Sequence, residues 1–383
     1  MSTMSFGKGN PYLASIKDRY RLTKPGSVKL TYHIVLSLQG SGFQYRPGDS
    51  IGIYPINRPE LVNRTLEAMR AAGNEIVTDK QGEGSYSLND FLTHKANLSD
   101  ISRKFLGEII LRQEDPEKKE KLNFLLGDEN KEALKFYLEN HEVWDLLLDN
   151  PTVSFTPQEI VNLLMPLLPR LYSIASSQRV VGDEVHLTVS RFSYESNNNL
   201  RHGICTYYLC DLVEMNVPCV PVYIQEHHGF TLPEDPDSDI IMVGPGTGVA
   251  PFKAFMEERV ATEATGRNWL FFGECHRAFD YFYEEYWIDL QDRGLLQIDA
   301  AFSRDQEHKI YVQHLMKEKG SEIFAWLEGG ASFFVCGDAH RMAKDVEAAL
   351  LQIIEQFGGK NPHEAKAYLK HMRTEKRYLR DVY

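Results

Sequence analysis

Residues 239–259, DIIMVGPGTGVAPFKAFMEER, constrain the chain more than any other stretch. Ile240, Ile241, Met242 and Val243 form a short apolar run without polar alternation, which suits a strand buried on both faces of a parallel sheet. Gly244, Gly246 and Gly248 follow, and without Cβ atoms they let the backbone turn tightly and come close to a bound group. Pro251 then fits the first turn of a helix, where its missing N–H costs nothing. Free amides and the positive end of the helix dipole make that start an anion site, most simply for a pyrophosphate. The usual dinucleotide fingerprint lacks its third glycine in either register, since Val249 stands there after Gly244 and Pro251 after Gly246. A different α/β nucleotide site is expected. The alternative is a strand-to-helix turn whose glycines only relieve packing.

At 383 residues with 43% hydrophobic content, the chain can build two or three domains with cores of their own. A formal net charge of -12 argues against a sequence-independent grip on nucleic acid. The cysteines, Cys205, Cys210, Cys219, Cys275 and Cys336, are odd in number and show no zinc spacing, so they read as free thiols in a reducing, cytoplasmic compartment. The pair His227-His228 has the wrong spacing for two ligands on one helix face, and no metal is expected. No apolar stretch is long enough to span a membrane: the run around residues 160–168 is broken by Asn162, Pro166 and Pro169.

The pattern is strand-like from Tyr12 to Pro55 and becomes charged and helical from Asn57 to about Thr156. There Phe124, Leu125, Leu134, Tyr137 and Leu138 recur at helical spacing and read as a buried stripe. Strands return after Pro169, so a helical block is inserted in an antiparallel β-domain. From Asp239 strands and helices alternate, as in an open parallel sheet with covering helices, and a last helix leads into a short tail.

Arg170, Leu171, Tyr172 and Ser173 set an arginine, an aromatic and a hydroxyl on one strand, able to supply a phosphate partner, a stacking face and a hydrogen bond. Taken alone, that tetrad reads more simply as structure. Gly203, Ile204, Cys205 and Thr206, at the head of a helical stretch, repeat the logic of the first anion site.

RLYSIASS, TVSR, GICT, GPGTGVAPFKAF, FFGE, SRD with KIYVQ, VCGDAHRMAKDV and the terminal RDVY occur in that order. From Asn10 to Tyr383 the chain resembles the FAD- and NADPH-binding half of the diflavin reductases, most of all their sulfite reductase flavoprotein branch. The resemblance implies a multi-domain α/β, ferredoxin-reductase-like fold. It would comprise an antiparallel β-barrel FAD domain (10–57 and 166–233), a helical connecting insertion (58–165) and a parallel-sheet α/β NADPH domain (234–383).

The resemblance also implies roles for single residues. Arg170 would pair with an FAD phosphate, Tyr172 would stack on the flavin beside Leu171, and Ser173 would bond near its reactive nitrogen. Thr188, Val189 and Ser190 would flank the ring system, and Gly203, Ile204, Cys205 and Thr206 would hold the FAD pyrophosphate. Gly246, Thr247 and Gly248 would take the NADPH pyrophosphate. Ser303, Arg304, Lys309, Tyr311 and Gln313 would bind the adenine end, where a 2′-phosphate wants cations and hydroxyls. Asp345 would be a further NADPH contact. Cys336 and Asp381 would flank the hydride-transfer site and Tyr383 would cover the flavin. On residue chemistry alone, Cys336 reads equally as a small buried hydrophobe, Asp381 as solvated and a terminal Tyr as frayed.

The implied activity is a flavoprotein oxidoreductase that moves electrons from NADPH through FAD to an external acceptor, either a flavodoxin-like FMN protein or a sulfite reductase catalytic subunit. No FMN domain is expected, because nothing before Asn10 could form one. The alternatives are a stand-alone NADPH–flavodoxin or ferredoxin reductase and a non-catalytic FAD-binding scaffold.

Overall fold

Alternation builds the first sheet. In β1 (Tyr12–Arg21), Ala14 and Ile16 point inward between more exposed neighbours, and β1 pairs antiparallel with β2 (Leu30–Ser37) across a register shift between Ile16 and Asp18. With β3 (Ser50–Ile53), β4 (Arg170–Ser173), β5 (Glu184–Arg191) and β6 (Val220–Gln225) they make a six-stranded sheet in the order β4-β3-β6-β1-β2-β5. This is the antiparallel sheet expected around the helical insertion. The structure, a computed structural model, describes residues 6–80, 82 and 84–383.

Continuous apolar runs build the second sheet. Its strands are β7 (Ile240–Val243), β8 (Asn268–Glu274), β9 (Gln297–Phe302), β10 (Ser332–Gly337) and β11 (Tyr378–Val382), all parallel, in the order β9-β8-β7-β10-β11. Every residue of β7, β8 and β10 is buried. Ile241, Val243, Trp269, Phe271, Phe333 and Val335 pack on one face, under α10 (Val312–Glu318), α11 (Gly320–Glu328), α12 (Met342–Gly358) and α13 (Pro362–Thr374). Ile240, Met242, Leu270, Phe272 and Phe334 pack on the other, under α8 (Ala250–Ala261) and α9 (Glu284–Asp292). Each wholly buried aromatic there contributes roughly 1.5–3 kcal/mol. The strand order reverses between β7 and β10, which opens a crevice at their carboxyl ends. Residues 378–382, expected as a tail, instead form edge strand β11. YLRDV is too short and charged to announce a strand, but β10 supplies a complete row of partners.

By backbone contacts the chain divides into two compact units. The first holds residues 6–52, Leu171–Ser190 and Glu214–Tyr383, and so contains both sheets apart from single end residues of β3, β4 and β5. The second holds Ile53–Arg170 and Arg191–Val213. Its helices are α1 (Pro59–Met69), α2 (Leu88–His94), α3 (Arg103–Arg112), α4 (Pro116–Leu126), α5 (Lys131–Asn140), α6 (Val143–Asp149) and α7 (Pro157–Leu163). They close on a core that includes Leu61, Leu92, Phe105, Ile109, Leu146 and Ile160. Leu134 is buried there, and Leu125, Tyr137 and Leu138 lean on it, but Phe124 is 60% exposed, against the expected stripe. The cause is α4, which buries Leu122 alone and is a surface helix.

Candidate functional site

The three glycines after β7 do different work. A Cβ on Gly244 would lie 2.5 Å from the Gly248 carbonyl oxygen, and one on Gly248 would lie 2.2 Å from the Cys336 carbonyl oxygen. Gly248 is therefore glycine because the loop is pressed against the end of β10, and Gly244 because the loop folds back on itself and on the Phe252 ring of α8. Gly246 is different: it takes a φ of +60°, and only a Glu274 oxygen comes within 4 Å of the space its side chain would fill. Residues 246–248 thus form a cradle, and α8 leads away from it with Pro251 in its first turn. The nearby Glu274 carboxylate would oppose an anion, but Lys29 Nζ lies 2.8 and 2.9 Å from its two oxygens and neutralises it.

Beside this loop, β11 brings the C-terminus to the carboxyl end of β10, with Cys336 opposite Asp381 and Gly337 opposite Val382. Tyr383 is tied down at both backbone ends: its N–H donates to Gly337 O (3.1 Å) and its carbonyl accepts from Ala339 N (3.0 Å). Its hydroxyl lies 2.9 Å from Thr247 Oγ1, while the residue as a whole is 62% exposed. Ser173 Oγ, at the end of β4, donates to Asp381 Oδ2 at 2.8 Å, and Cys336 Sγ lies 3.9 Å from the same oxygen. Cys336 is fully buried; burial, and after it the Asp381 carboxylate, push its thiol well above the ordinary range. It is therefore a neutral thiol at physiological pH.

Ser173, Cys336, Asp381, Thr247 and Tyr383, up to 208 residues apart for the bonded Ser173–Asp381 pair, thus meet at one place. His227 belongs with them. Its Nδ1 accepts from Phe230 N, which assigns the ring proton to Nε2, 4.0 Å from Asp381 Oδ1. Sequence reasoning weighed His227 only as a metal ligand. A signal was present in its position just after the last strand of the first sheet.

The adenine-end set follows β9. Pairing with the end of β8 continues through Ser303 N to Glu274 O (2.8 Å) and Arg304 N to Cys275 O (2.9 Å), which holds both residues at the carboxyl edge of the sheet. Arg304, Lys309 and Tyr311 are exposed, and among the described residues neither cation is in an ion pair. Gln313 Nε2 donates to Asp345 Oδ2 at 3.3 Å, joining the first turns of α10 and α12.

On the first sheet, Leu171 is 55% exposed and Tyr172 is half-buried. Thr188 Oγ1 is bonded to Tyr283 Oη (2.7 Å), Val189 is fully buried, and Ser190 Oγ accepts from Thr31 Oγ1 (3.3 Å). In the second unit, Arg170 is exposed and, among the described residues, in no ion pair. Gly203 N–H donates to Phe192 O, and Thr206 Oγ1 donates back to Gly203 O (3.2 Å), fixing a single helical turn over Ile204–Tyr207 in which Cys205 is buried.

This geometry fits its expected ligands. The cradle at Gly246 offers backbone amides, and Arg304, Lys309 and Arg170, which among the described residues are in no ion pair, offer cations of the kind a phosphate needs. The described residues also include a buried cluster of Glu274, Cys275 and Asp280, but Lys29 already takes both Glu274 oxygens and Ser27 Oγ bonds Asp280.

Comparison with known families agrees. The FAD binding domain family matches residues 4–208, more than half of the chain. The chain belongs to that family. The oxidoreductase NAD-binding domain family matches residues 242–348, which contain the 246–248 loop and the adenine-end set. The chain is therefore an oxidoreductase with one domain for FAD and one for a nicotinamide dinucleotide. It is 42% identical over 381 residues to the sulfite reductase [NADPH] flavoprotein alpha-component of Bacillus subtilis, covering 99% of this chain and 62% of that protein. It is 41% identical to the Vibrio cholerae protein of the same name, covering 99% and 60% respectively, and 40% identical to an Escherichia coli one, covering 100% and 62%. The chain thus spans about three-fifths of the length of these relatives.

Proposed function

We propose that this chain takes a hydride from NADPH onto FAD and passes the electrons to a partner redox protein. The observation that carries this is the meeting of Ser173, Cys336 and Asp381 beside Tyr383, whose hydroxyl is bonded to Thr247 of the nucleotide loop. FAD, when bound, supplies a ring that accepts a hydride and can release electrons singly. Hydride transfer needs little acid–base help, so the protein's task is to orient two rings and exclude water. Asp381 holds the hydroxyl hydrogen of Ser173 and so fixes which way its lone pairs face. Cys336, kept neutral by burial, adds no negative charge there.

Arg170 and residues 203–206 would hold the FAD phosphates, with Tyr172 and residues 188–190 against the ring. Residues 246–248 would hold the NADPH pyrophosphate. Arg304 and Lys309, with Ser303, Tyr311, Gln313 and Asp345, would take the adenine end, and two free cations favour a 2′-phosphate over the bare hydroxyl of NADH. In this reading residues 10–57 and 166–233 form the FAD domain, 58–165 the connecting insertion and 234–383 the NADPH domain. The names of the relatives, sulfite reductase [NADPH] flavoprotein alpha-component, favour a sulfite reductase catalytic subunit as acceptor, and a flavodoxin-like FMN protein is the other acceptor of this reading. Five free cysteines support a reducing, cytoplasmic setting, and no described helix is long and apolar enough to cross a membrane.

Anaerobic addition of NADPH to the FAD-loaded protein should bleach its yellow colour; a colour that persists overturns the proposal. Tyr383 would occupy the nicotinamide's place until NADPH arrives. Its removal should raise kcat/KM for NADH relative to NADPH, and an unchanged ratio would count against a gate.

A further inference from the structure

Helix α8 starts at the nucleotide loop, and Lys253 in its first turns is buried, with only 9% of its side chain exposed. Its ammonium is ion-paired with Glu257 one turn later and lies 5.5 Å from the ring centres of both Tyr283 and Tyr286. It also donates to the carbonyl of Ala175 at 3.3 Å, two residues beyond Ser173. Glu257 accepts from Ser177 N at 2.8 Å, and Glu258 is bonded to Ser177 Oγ and, at 3.1 Å, to Arg179. The bonds to Ala175, Ser177 and Arg179 all run from the helix behind residues 246–248 to the segment just after Ser173.

A second set of bonds joins the start of α9 to the first sheet. Tyr283 Oη bonds both His33 Nδ1 (3.0 Å) and Thr188 Oγ1 (2.7 Å), and Tyr283 is held at a φ of 58°, which a tyrosine adopts only under constraint. A contact made only of apolar side chains tolerates sliding, because its energy depends weakly on direction. Hydrogen bonds lose strength within a few tenths of an ångström and so fix a register. A buried ion pair is often no more stabilising than a well-packed apolar pair, so stability alone does not account for a charged Lys253.

We propose that Lys253 and Glu257 are positioning residues which, given the hydride-transfer role proposed above, set the register between the 246–248 loop and Ser173 and thereby the approach of nicotinamide to flavin. Neither touches the reacting atoms. Misplacement by about 1 Å far from the chemistry can lower a rate by about a hundred-fold, so a softened clamp should act on the transfer step more than on binding.

The test compares Lys253→Met and Lys253→Arg in the FAD-loaded chain. For Lys253→Met we expect full FAD content, NADP+ affinity by calorimetry within about two-fold of wild type, an altered flavin signal in visible circular dichroism, and anaerobic bleaching at saturating NADPH slowed about ten-fold or more. Lys253→Arg, which keeps the charge and the bond to Ala175, should recover most of that rate. Equal bleaching rates and identical dichroism in wild type and Lys253→Met overturn the inference. So does a fall in NADP+ affinity as large as the fall in rate, or an arginine variant as slow as the methionine one. Where Lys253→Met does not fold, Glu257→Gln is read the same way, and a wild-type rate with unchanged dichroism overturns it. A wild-type protein that NADPH does not bleach overturns the functional proposal instead, and the dichroism then reads the clamp on its own.

Discussion

Lys253 in the first unit and Arg201 in the second each stand near a glycine-led loop, residues 246–248 and 203–206, and both are buried, but their partners differ in kind. Lys253 has one carboxylate, Glu257, and one backbone carbonyl. Arg201, 1% exposed, has two carboxylates: Nη1 lies 2.6 Å from Glu142 Oε2, and Nη2 lies 2.8 Å from Asp145 Oδ2, outside hydrogen-bonding geometry. Glu142 also accepts from Trp144 Nε1 (2.8 Å) and caps α6, so the guanidinium ties the strand before Gly203 to a helix start. A planar fork held by two anions fixes its joint through one side chain, whereas Lys253, a point charge, fixes its register only together with the bonds that Glu257 and Glu258 make beside it. The joint near residues 203–206 therefore rests on a single side chain, and the one behind residues 246–248 on several.

The largest effect should come from breaking the joint that rests on one side chain. Arg201→Leu leaves Glu142 and Asp145 buried without a counter-charge and should cost about 3–5 kcal/mol. Urea unfolding followed by circular dichroism reads it, and a loss as small as that expected of a surface change would erase the contrast between the two cations.

A middle-sized effect separates the units by pH. His33, 3% exposed, sits between Tyr283 Oη and His186 Nδ1 (3.2 Å), and burial first, then His186 and Lys253, lower its pKa to about 3. The unfolded chain binds a proton at this histidine near pH 6.5 that the folded chain refuses, so stability falls as pH drops through the interval from 6.5 towards 3. At pH 5 the loss from His33 is about 2 kcal/mol. His33→Gln should be less stable than wild type at pH 7 but lose less on going to pH 5. His186, also lowered by burial, keeps part of the slope in both proteins. Parallel pH profiles would mean that His33 is not held neutral.

Much of the fold was legible because its signals are local. The unbroken apolar runs of β7, β8 and β10 announce strands buried on two faces, and the glycines and Pro251 mark the turn into α8. The candidate site residues were legible one motif at a time, but their meeting was not, since no spacing in the chain says that Ser173 will bond Asp381. Lys253 and Arg201 were passed over because a lone charge on a helix or hairpin looks solvated until the fold buries it. Strand β11 and the exposed Phe124 were misread for the same reason: a neighbour decides whether a short segment pairs or packs.

The smallest expected effect asks whether the two units differ as wholes or only in their anchors. The same helix-start device occurs in each. In the second unit Thr156 Oγ1 accepts from Glu159 N (3.3 Å), and Glu159 Oε2 accepts from Thr156 N (2.7 Å), ahead of α7. In the first, Asn361 Oδ1 accepts from His363 N and Glu364 N (both 3.0 Å), and Glu364 Oε2 accepts from Asn361 N (2.8 Å), ahead of α13. Both helices open on proline. Thr156→Ala and Asn361→Ala should each cost about 1 kcal/mol, with the asparagine change the larger because its oxygen caps two backbone N–H groups at 3.0 Å while Thr156 caps one at 3.3 Å and gives its other bond to the Glu159 side chain. Hydrogen exchange then decides the matter. If the units open separately, Asn361→Ala speeds exchange in α13 and the parallel sheet and leaves α6 and α7 as they were, and Thr156→Ala does the reverse. If either change speeds exchange in both units alike, they open as one cooperative block, and the contrast between Lys253 and Arg201 is a difference between two joints in a single body.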